Sequence, residues 1–391
     1  FKQNDGSPEW ADQRFQSQVM SSTDPRSYIE ASKYVWQMVA RYGKVRFDEN
    51  LLNVRQQPRW NGDPVTIPKS GLNLINYFEL ENEPDRPWKS NKYKYTPEEC
   101  AAFISAIYDG HEGMLGPFCG SMAADPTVKL VLPGLSDFDI QYIDRMDAWF
   151  KANRRDKKFP KIVFNFHHYC NIGNPNPPAI GGNLINGAGQ SPENDRLPYR
   201  LKNMNQYLKQ KFGSDIEIWY SEFGYDTTPP STSLSQDPKL CGNKTSFDLQ
   251  KEWVLRTYIY AISSGYNKAF VYNLCDEPSS DMGYLFGSSG LLTSGQTSYK
   301  KKSSWVGVDW LARELNGFTF YREYSTNNIA IFEFRSGRTS KYFYWSVRDG
   351  LTFDGAINRH KIAATDQIQL YTTKRSFINF DTDTKEYTNE K

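Results

Sequence analysis

From residue 71 to about residue 315, short apolar runs alternate with longer stretches whose apolar positions recur at helical spacing. This is the βαβα order of a parallel sheet covered by helices. The strand-like runs are "GLNLINYFELENEP" (71–84), "VKLVLPGL" (128–135), "KIVFNFHHY" (161–169), "IEIWYSEFG" (216–224) and "KAFVYNLCDE" (268–277). Helices fit between them. "TPEECAAFISAIYDG" (96–110) opens with a capping threonine, a proline at the first helical position and two acids in the first turn. "QKEWVLRTYIYAISSG" (250–265) ends on a glycine, as a helix C-terminus should.

After a last helical stretch, "SSWVGVDWLARELNG" (303–317), the period shortens to two in runs such as "IAIFEFR" and "SKYFYWSVRDG", separated by Asn, Gly and Asp turns. The pattern predicts a small antiparallel, sandwich-like β domain over 318–391, following an α/β domain over 1–317. Before residue 71 the chain offers one convincing helix, "SYIEASKYVWQMVARYG" (27–43). A closed eight-stranded barrel takes about 250 residues, yet only five strand candidates are present.

Composition narrows the partner more than the fold. Lys plus Arg number 47 against 45 Asp plus Glu, a net charge of +2. No strong field therefore marks the chain for nucleic acid or an acidic membrane surface, and a small or neutral partner is the default. Aromatic residues make up 15% of the chain, which fits either rings half exposed for stacking on sugars or bases, or a core rich in aromatics. No apolar run approaches the roughly 18 residues that span a bilayer. The five cysteines form no CxxC pair, which argues against a structural zinc site. Asn243-Lys244-Thr245 fits the N-glycosylation pattern. No GxxxxGK[ST] or GxGxxG follows a strand, which sets nucleotide chemistry aside.

The carboxylates of "FELENEPD" carry the chemistry. Alternation along a strand would put Ile75, Tyr77, Glu79, Glu81 and Glu83 on one face, and Leu72, Leu74, Phe78 and Leu80 on the other, against helices. Glu83, just before Pro84, would then reach the mouth where parallel barrels hold their active sites. Glu222 occupies the matching place in a later strand, before Phe223-Gly224 ends the run. Two carboxylates at one mouth suit glycosidic bond cleavage, one protonated to release the leaving oxygen and one ionised to attack the anomeric carbon. Alternatively, strand-end glutamates pair with loop cations such as Arg86 and Lys89. Glu79 and Glu81 would lie beneath Glu83, and require either Arg or Lys partners or a bulge that turns one outward.

Asn82-Glu83-Pro84 at one strand end and Ser221-Glu222-Phe223-Gly224 at a later one resemble the two signatures of clan A glycoside hydrolases, retaining enzymes on a (β/α)8 TIM barrel. "FELENEPD" is similar to the xylosidase and iduronidase branch, except at Glu81, and "SEFG" to the cellulase branch. The resemblance implies Glu83 as acid/base, Glu222 as nucleophile and Asn82 as a contact to the sugar 2-hydroxyl. It implies no cofactor and a carbohydrate substrate outside the cell: secreted, periplasmic or on the cell surface. It also makes the five strand candidates strands four to eight, so that the sequence is a fragment or a further segment or partner chain completes the barrel. The alternative is a non-catalytic carbohydrate-binding protein on a degenerate barrel.

Around this pair, His167 and Tyr169 share a strand face while His168 points away, which nominates the first two for substrate or nucleophile contact. Trp88, Tyr225 and Asn273 are further substrate-binding candidates, and Asp226, Asp276 and Glu277 lie at the same strand ends. A metal reading of His167, His168 and Cys170 is disfavoured because neighbouring strand residues diverge and no acid sits at ligand spacing. Two long loops, 170–194 and 227–246, follow strands of the catalytic face, and Cys170 and Cys241 lie one in each, so that a disulfide between them is one reading. Arg86, Lys89, Lys92 and Lys94 permit an acidic glycan.

Overall fold

The computed structural model describes residues 21–85, 94–170, 191–228, 245–278, 286–326 and 329–347, with the backbone alone of 369–374, 377–381 and 386–390. The fold is α/β with a small antiparallel sheet. Two compact units divide it: one runs to Phe166 and includes Asp215–Glu217, and the other comprises His167–Ser214 and the chain from Ile218 onward.

In the first unit, helix α1 (Ile29–Tyr42) buries Ala31, Val35, Trp36 and Val39, the i, i+4, i+5, i+8 stripe of an amphipathic helix. Helix α2 (Pro97–Asp109) starts at Thr96 with a reciprocal capping box to Glu99 and stops at Gly110, whose φ of 65° is left-handed. Every α2 residue from Cys100 to Ile107 is buried, which fits its place packed on both α1 and α4 (Ile140–Asn153). The short α3 (Ser121–Ala124) also packs on α1. Strand β1 (Tyr77–Glu79) pairs in parallel with β2 (Lys129–Val131). Parallel bridges Val131–Val163 and Leu135–Phe166 carry the pairing on.

The first strand is much shorter than its apolar run. Gly71, Leu72, Asn73, Leu74 and Ile75 donate their N–H groups to the carbonyls of Ala40, Arg41, Tyr42 and Gly43. They satisfy the orphan acceptors at the end of α1 instead of joining a ladder. Leu74, expected against the helices, is consequently 71% exposed. Beyond Glu79, φ is 79° at Glu81 and 45° at Glu83, so the two-residue alternation that would align Glu79, Glu81 and Glu83 does not hold.

The second unit holds the end of β3 (Phe164–His167), α5 (Leu197–Phe212), β4 (Ile218–Phe223), α6 (Ser246–Ser263), β5 (Lys268–Val271) and α7 (Ser303–Leu315). Strands β4 and β5 are parallel, and one extra residue sits in β4 between Tyr220 and Phe223. From residue 319 an antiparallel meander follows, β6 (Thr319–Glu323), β7 (Ile329–Ser336), β8 (Thr339–Ser346) and β9 (Gln369–Lys374), in that spatial order. β10 (Phe377–Asp381) and β11 (Glu386–Glu390) form an antiparallel pair. The meander joins the α/β part through aromatic packing: the Tyr260 ring of α6 meets Phe332 and Trp345 edge-on, each at 5.4 Å. Glu193 fastens the same place, accepting from Tyr260 Oη and Trp345 Nε1 at 2.8 Å and from Arg256 at 3.2 Å.

Candidate active site

Glu222 lies at the register shift of β4, where an inserted residue re-aims side chains at a strand end. Its side chain is 22% exposed. The Tyr169 hydroxyl donates to Glu222 Oε2 at 2.9 Å, and His167 Nδ1 stands 3.5 Å from the same oxygen. His167 Nε2 is in turn bonded to Ser221 Oγ at 2.9 Å, which fixes the ring from its far side. His168 faces the other way, with Nε2 2.6 Å from Asp195 Oδ2. The alternation His167/Tyr169 against His168 therefore divides the segment into a Glu222 side and an Asp195 side. Only glycine fits at 224: a Cβ there would stand 2.3 Å from the Tyr272 carbonyl oxygen.

Several groups behind Glu222 are not evident from the sequence. Phe286 packs on the Tyr169 ring with centroids 4.1 Å apart. Its own turn is pinned by Asp226, which is fully buried and accepts from the N–H groups of Phe286 at 2.8 Å and Ser288 at 3.0 Å. Asp226, expected at the mouth, thus serves as a turn anchor. Asp276 is likewise interior: Lys302 Nζ binds its Oδ1 at 2.7 Å, and also Thr227 Oγ1 and the Ser288 carbonyl. Burial drives Asp276 up and Lys302 down from their ordinary pKa values, against their mutual attraction. Hydrophobic periodicity carries no signal for such polar struts.

Tyr225, expected among the substrate contacts, is 1% exposed, lies edge-on to Trp253 and bonds Thr257 on α6 through its hydroxyl. It is a core residue. Asn273 lies just beyond β5 and is partly buried, with no hydrogen-bond partner for its Oδ1 among the described residues. Cys170 is a free, buried thiol and not half of a disulfide. Trp88, Cys241 and Asn243 lie outside the described residues.

In the first unit, Glu83 is 8% exposed and its left-handed backbone is held by a bond from its N–H to the Gly134 carbonyl at 3.0 Å. Asp85 next to the motif accepts from Ser136 N and Oγ, the latter at 2.6 Å, and Pro84 O accepts from Tyr95 N. Asn82 is exposed, and its N–H bonds the Glu81 carboxylate. Glu79, expected to be buried, is an exposed residue whose carboxylate accepts from Gly134 N and Asn165 Nδ2 at 2.9 and 3.0 Å. The column of carboxylates therefore divides its work: Glu79 and Glu81 bind backbone and amide donors around the turn that sets Glu83.

No protein-family model matches the sequence, and no curated protein is significantly similar to it. Among solved structures, the chain is similar to a family 39 glycoside hydrolase from the gut symbiont Bacteroides cellulosilyticus WH2, with 16% identity over 83% of this chain and 52% of that one, at a TM-score of 0.46. It is similar to a monomeric β-xylosidase from Caulobacter crescentus CB15, with 13% identity over 68% and 46% of the two chains, at 0.39. A family 30 endoxylanase from Clostridium papyrosolvens C71 shares 13% identity over 70% and 51%, at 0.36. All three are glycoside hydrolases, and this chain spans about half the length of each.

Proposed function

We propose that the protein is a retaining glycoside hydrolase of clan A type, whose α/β part supplies strands four to eight of a (β/α)8 barrel. Glu222 is the nucleophile. Its carboxylate attacks the anomeric carbon while Glu83 protonates the departing glycosidic oxygen, and Glu83 then removes a proton from the water that hydrolyses the glycosyl ester. The observation that carries the reading is the setting of Glu222: a partly exposed carboxylate at the end of a parallel strand, with a tyrosine hydroxyl at 2.9 Å and an imidazole at 3.5 Å on one of its oxygens. A hydrogen bond from an uncharged donor supports the ionised form without neutralising it, which a nucleophilic carboxylate requires.

Glu83 takes the acid/base role from its Asn-Glu-Pro motif. A buried non-glycine residue at φ 45° carries a backbone cost of about 1 kcal/mol or more, and such outliers gather at functional sites. Asn82 contacts the sugar 2-hydroxyl, with Trp88, His167, Tyr169 and Asn273 as further substrate contacts. The substrate is a poly- or oligosaccharide and the enzyme acts outside the cell. No helix among the described residues is long and apolar enough to cross a membrane.

The test is azide rescue. Glu222→Ala and Glu83→Ala are assayed on a panel of polysaccharides and aryl glycosides with azide present. The roles predict an inverted glycosyl azide from the Glu222 variant and a retained one from the Glu83 variant. Wild type that binds glycans and cleaves none, with neither variant altering binding, would instead establish a carbohydrate-binding protein.

A further inference from the structure

On the side of the 167–170 segment turned away from Glu222, three ligand-type side chains converge. His168, Cys170 and Asp195 each bring one donor atom within 4.8 Å of the other two. All three are more than nine-tenths buried. A buried cysteine that merely fills space is surrounded by apolar atoms; this thiol lies beside the His168 imidazole and the Tyr225 hydroxyl. The disfavoured metal reading lacked an acidic partner, and Asp195 supplies it from across residues 171–190.

We propose that His168, Cys170 and Asp195 bind a divalent transition metal of the zinc class. Imidazole nitrogen, thiolate and carboxylate oxygen are the three donor types that zinc accepts, and three protein ligands leave a fourth position for water. Tetrahedral coordination at ordinary bond lengths separates the donor atoms by about 3.3 to 3.6 Å. The 2.6 Å contact of His168 Nε2 with Asp195 Oδ2 must open by less than about 1 Å, a rotamer adjustment. Binding breaks the Cys170 S–H bond, forms a sulfur–metal bond and releases that proton to solvent, while the imidazole binds in its neutral form. Arg200 Nε, 3.6 Å from the same Asp195 oxygen, is the competing cation, and its own side chain is partly exposed. The ligands precede and follow residues 171–190 in the chain, so the metal would tie the two ends of that segment. The inference is independent of the glycosidase reading.

Cobalt(II) is the probe. The full chain, reduced and stripped by a chelator, is titrated with Co2+. One equivalent should bind, with a sulfur-to-cobalt charge-transfer band and tetrahedral visible bands, and Zn2+ should displace it. Cys170→Ser should lose the charge-transfer band and weaken binding by more than the roughly 10- to 100-fold typical of losing an outer-sphere partner. Asp195→Asn keeps the shape and should weaken binding comparably, which guards against misfolding of the serine variant. Zn2+ should raise the Tm of wild type and of neither variant. Absence of Co2+ uptake by wild type, or an unchanged spectrum in both variants, overturns the site and leaves a hydrogen-bonded core network.

Discussion

Tyr169 and Glu222 are joined by a hydrogen bond of 2.9 Å from hydroxyl to Oε2, and the residue before Tyr169 fixes the same pair through the backbone, His168 N–H donating to the Glu222 carbonyl at 3.1 Å. The side-chain contact is therefore set by strand register. A hydrogen bond to a charged group contributes about 1.5–3 kcal/mol.

Tyr169→Phe keeps the ring packed on Phe286 and deletes only the donor. With Glu222 as nucleophile, kcat/KM should fall by roughly ten- to a hundred-fold, while Tm changes little. Steady-state kinetics beside a thermal melt separates the two effects. Undiminished activity would show that the Tyr169 hydroxyl does not support Glu222 in the rate-limiting chemistry.

Asp226→Asn probes the support behind that contact. An amide retains one acceptor oxygen where the carboxylate uses two, on Phe286 N and Ser288 N. One buried N–H loses its partner, at a cost of about 1–3 kcal/mol. Thermal stability should drop, and activity should fall beyond what the lower folded fraction explains, because Phe286 no longer backs Tyr169. A variant with wild-type Tm and wild-type kcat would remove Asp226 from this account.

The buried pair of Asp276 and Lys302 makes a different prediction. Removing either partner strands a charge in the interior, and Lys302→Met or Asp276→Leu should each cost about 3–5 kcal/mol. The double variant should recover most of that loss, since a well-packed apolar pair often replaces a buried ion pair at little cost. Denaturant unfolding of the four proteins gives the coupling directly, and additive losses would show that the two charges do not sustain one another.

What the sequence disclosed follows from which interactions leave a periodic trace. The helix start at Thr96, the glycine stop at 110 and an antiparallel sheet late in the chain rest on local rules, and the structure has all three. The separation of His167 and Tyr169 from His168 was also readable, because strand alternation is local. Leu74 was not: its N–H is claimed by Tyr42, from a helix 32 residues earlier in the chain, and no apolar count registers that claim. The left-handed backbone at Glu81 and Glu83 breaks alternation for a comparable reason, since Gly134 and Ser136 hold that turn from afar. Asp195, Asp226 and Lys302 share the limitation, being isolated polar residues whose partners come from distant segments.

His111 supplies a pH prediction for the first unit. Its Nδ1 is 2.8 Å from Ser105 Oγ, which also accepts from Arg154 Nη1 at 2.9 Å. Burial first, and then the charge of Arg154, hold the imidazole below its ordinary 6.5, against the opposing pull of Glu112, Asp109 and Asp24. The unfolded chain therefore takes up a proton near pH 6.5 that the folded chain declines until lower pH. Stability from the neutral ring is complete above about 6.5 and is lost as pH falls through that value toward the folded pKa. His111→Gln removes the titration, so the difference in unfolding free energy between wild type and variant should shift in favour of the variant as pH falls from 7.5 to 5.5. Urea melts at several pH values across that range measure the slope, and parallel pH profiles for the two proteins would mean that the folded imidazole protonates as readily as the unfolded one.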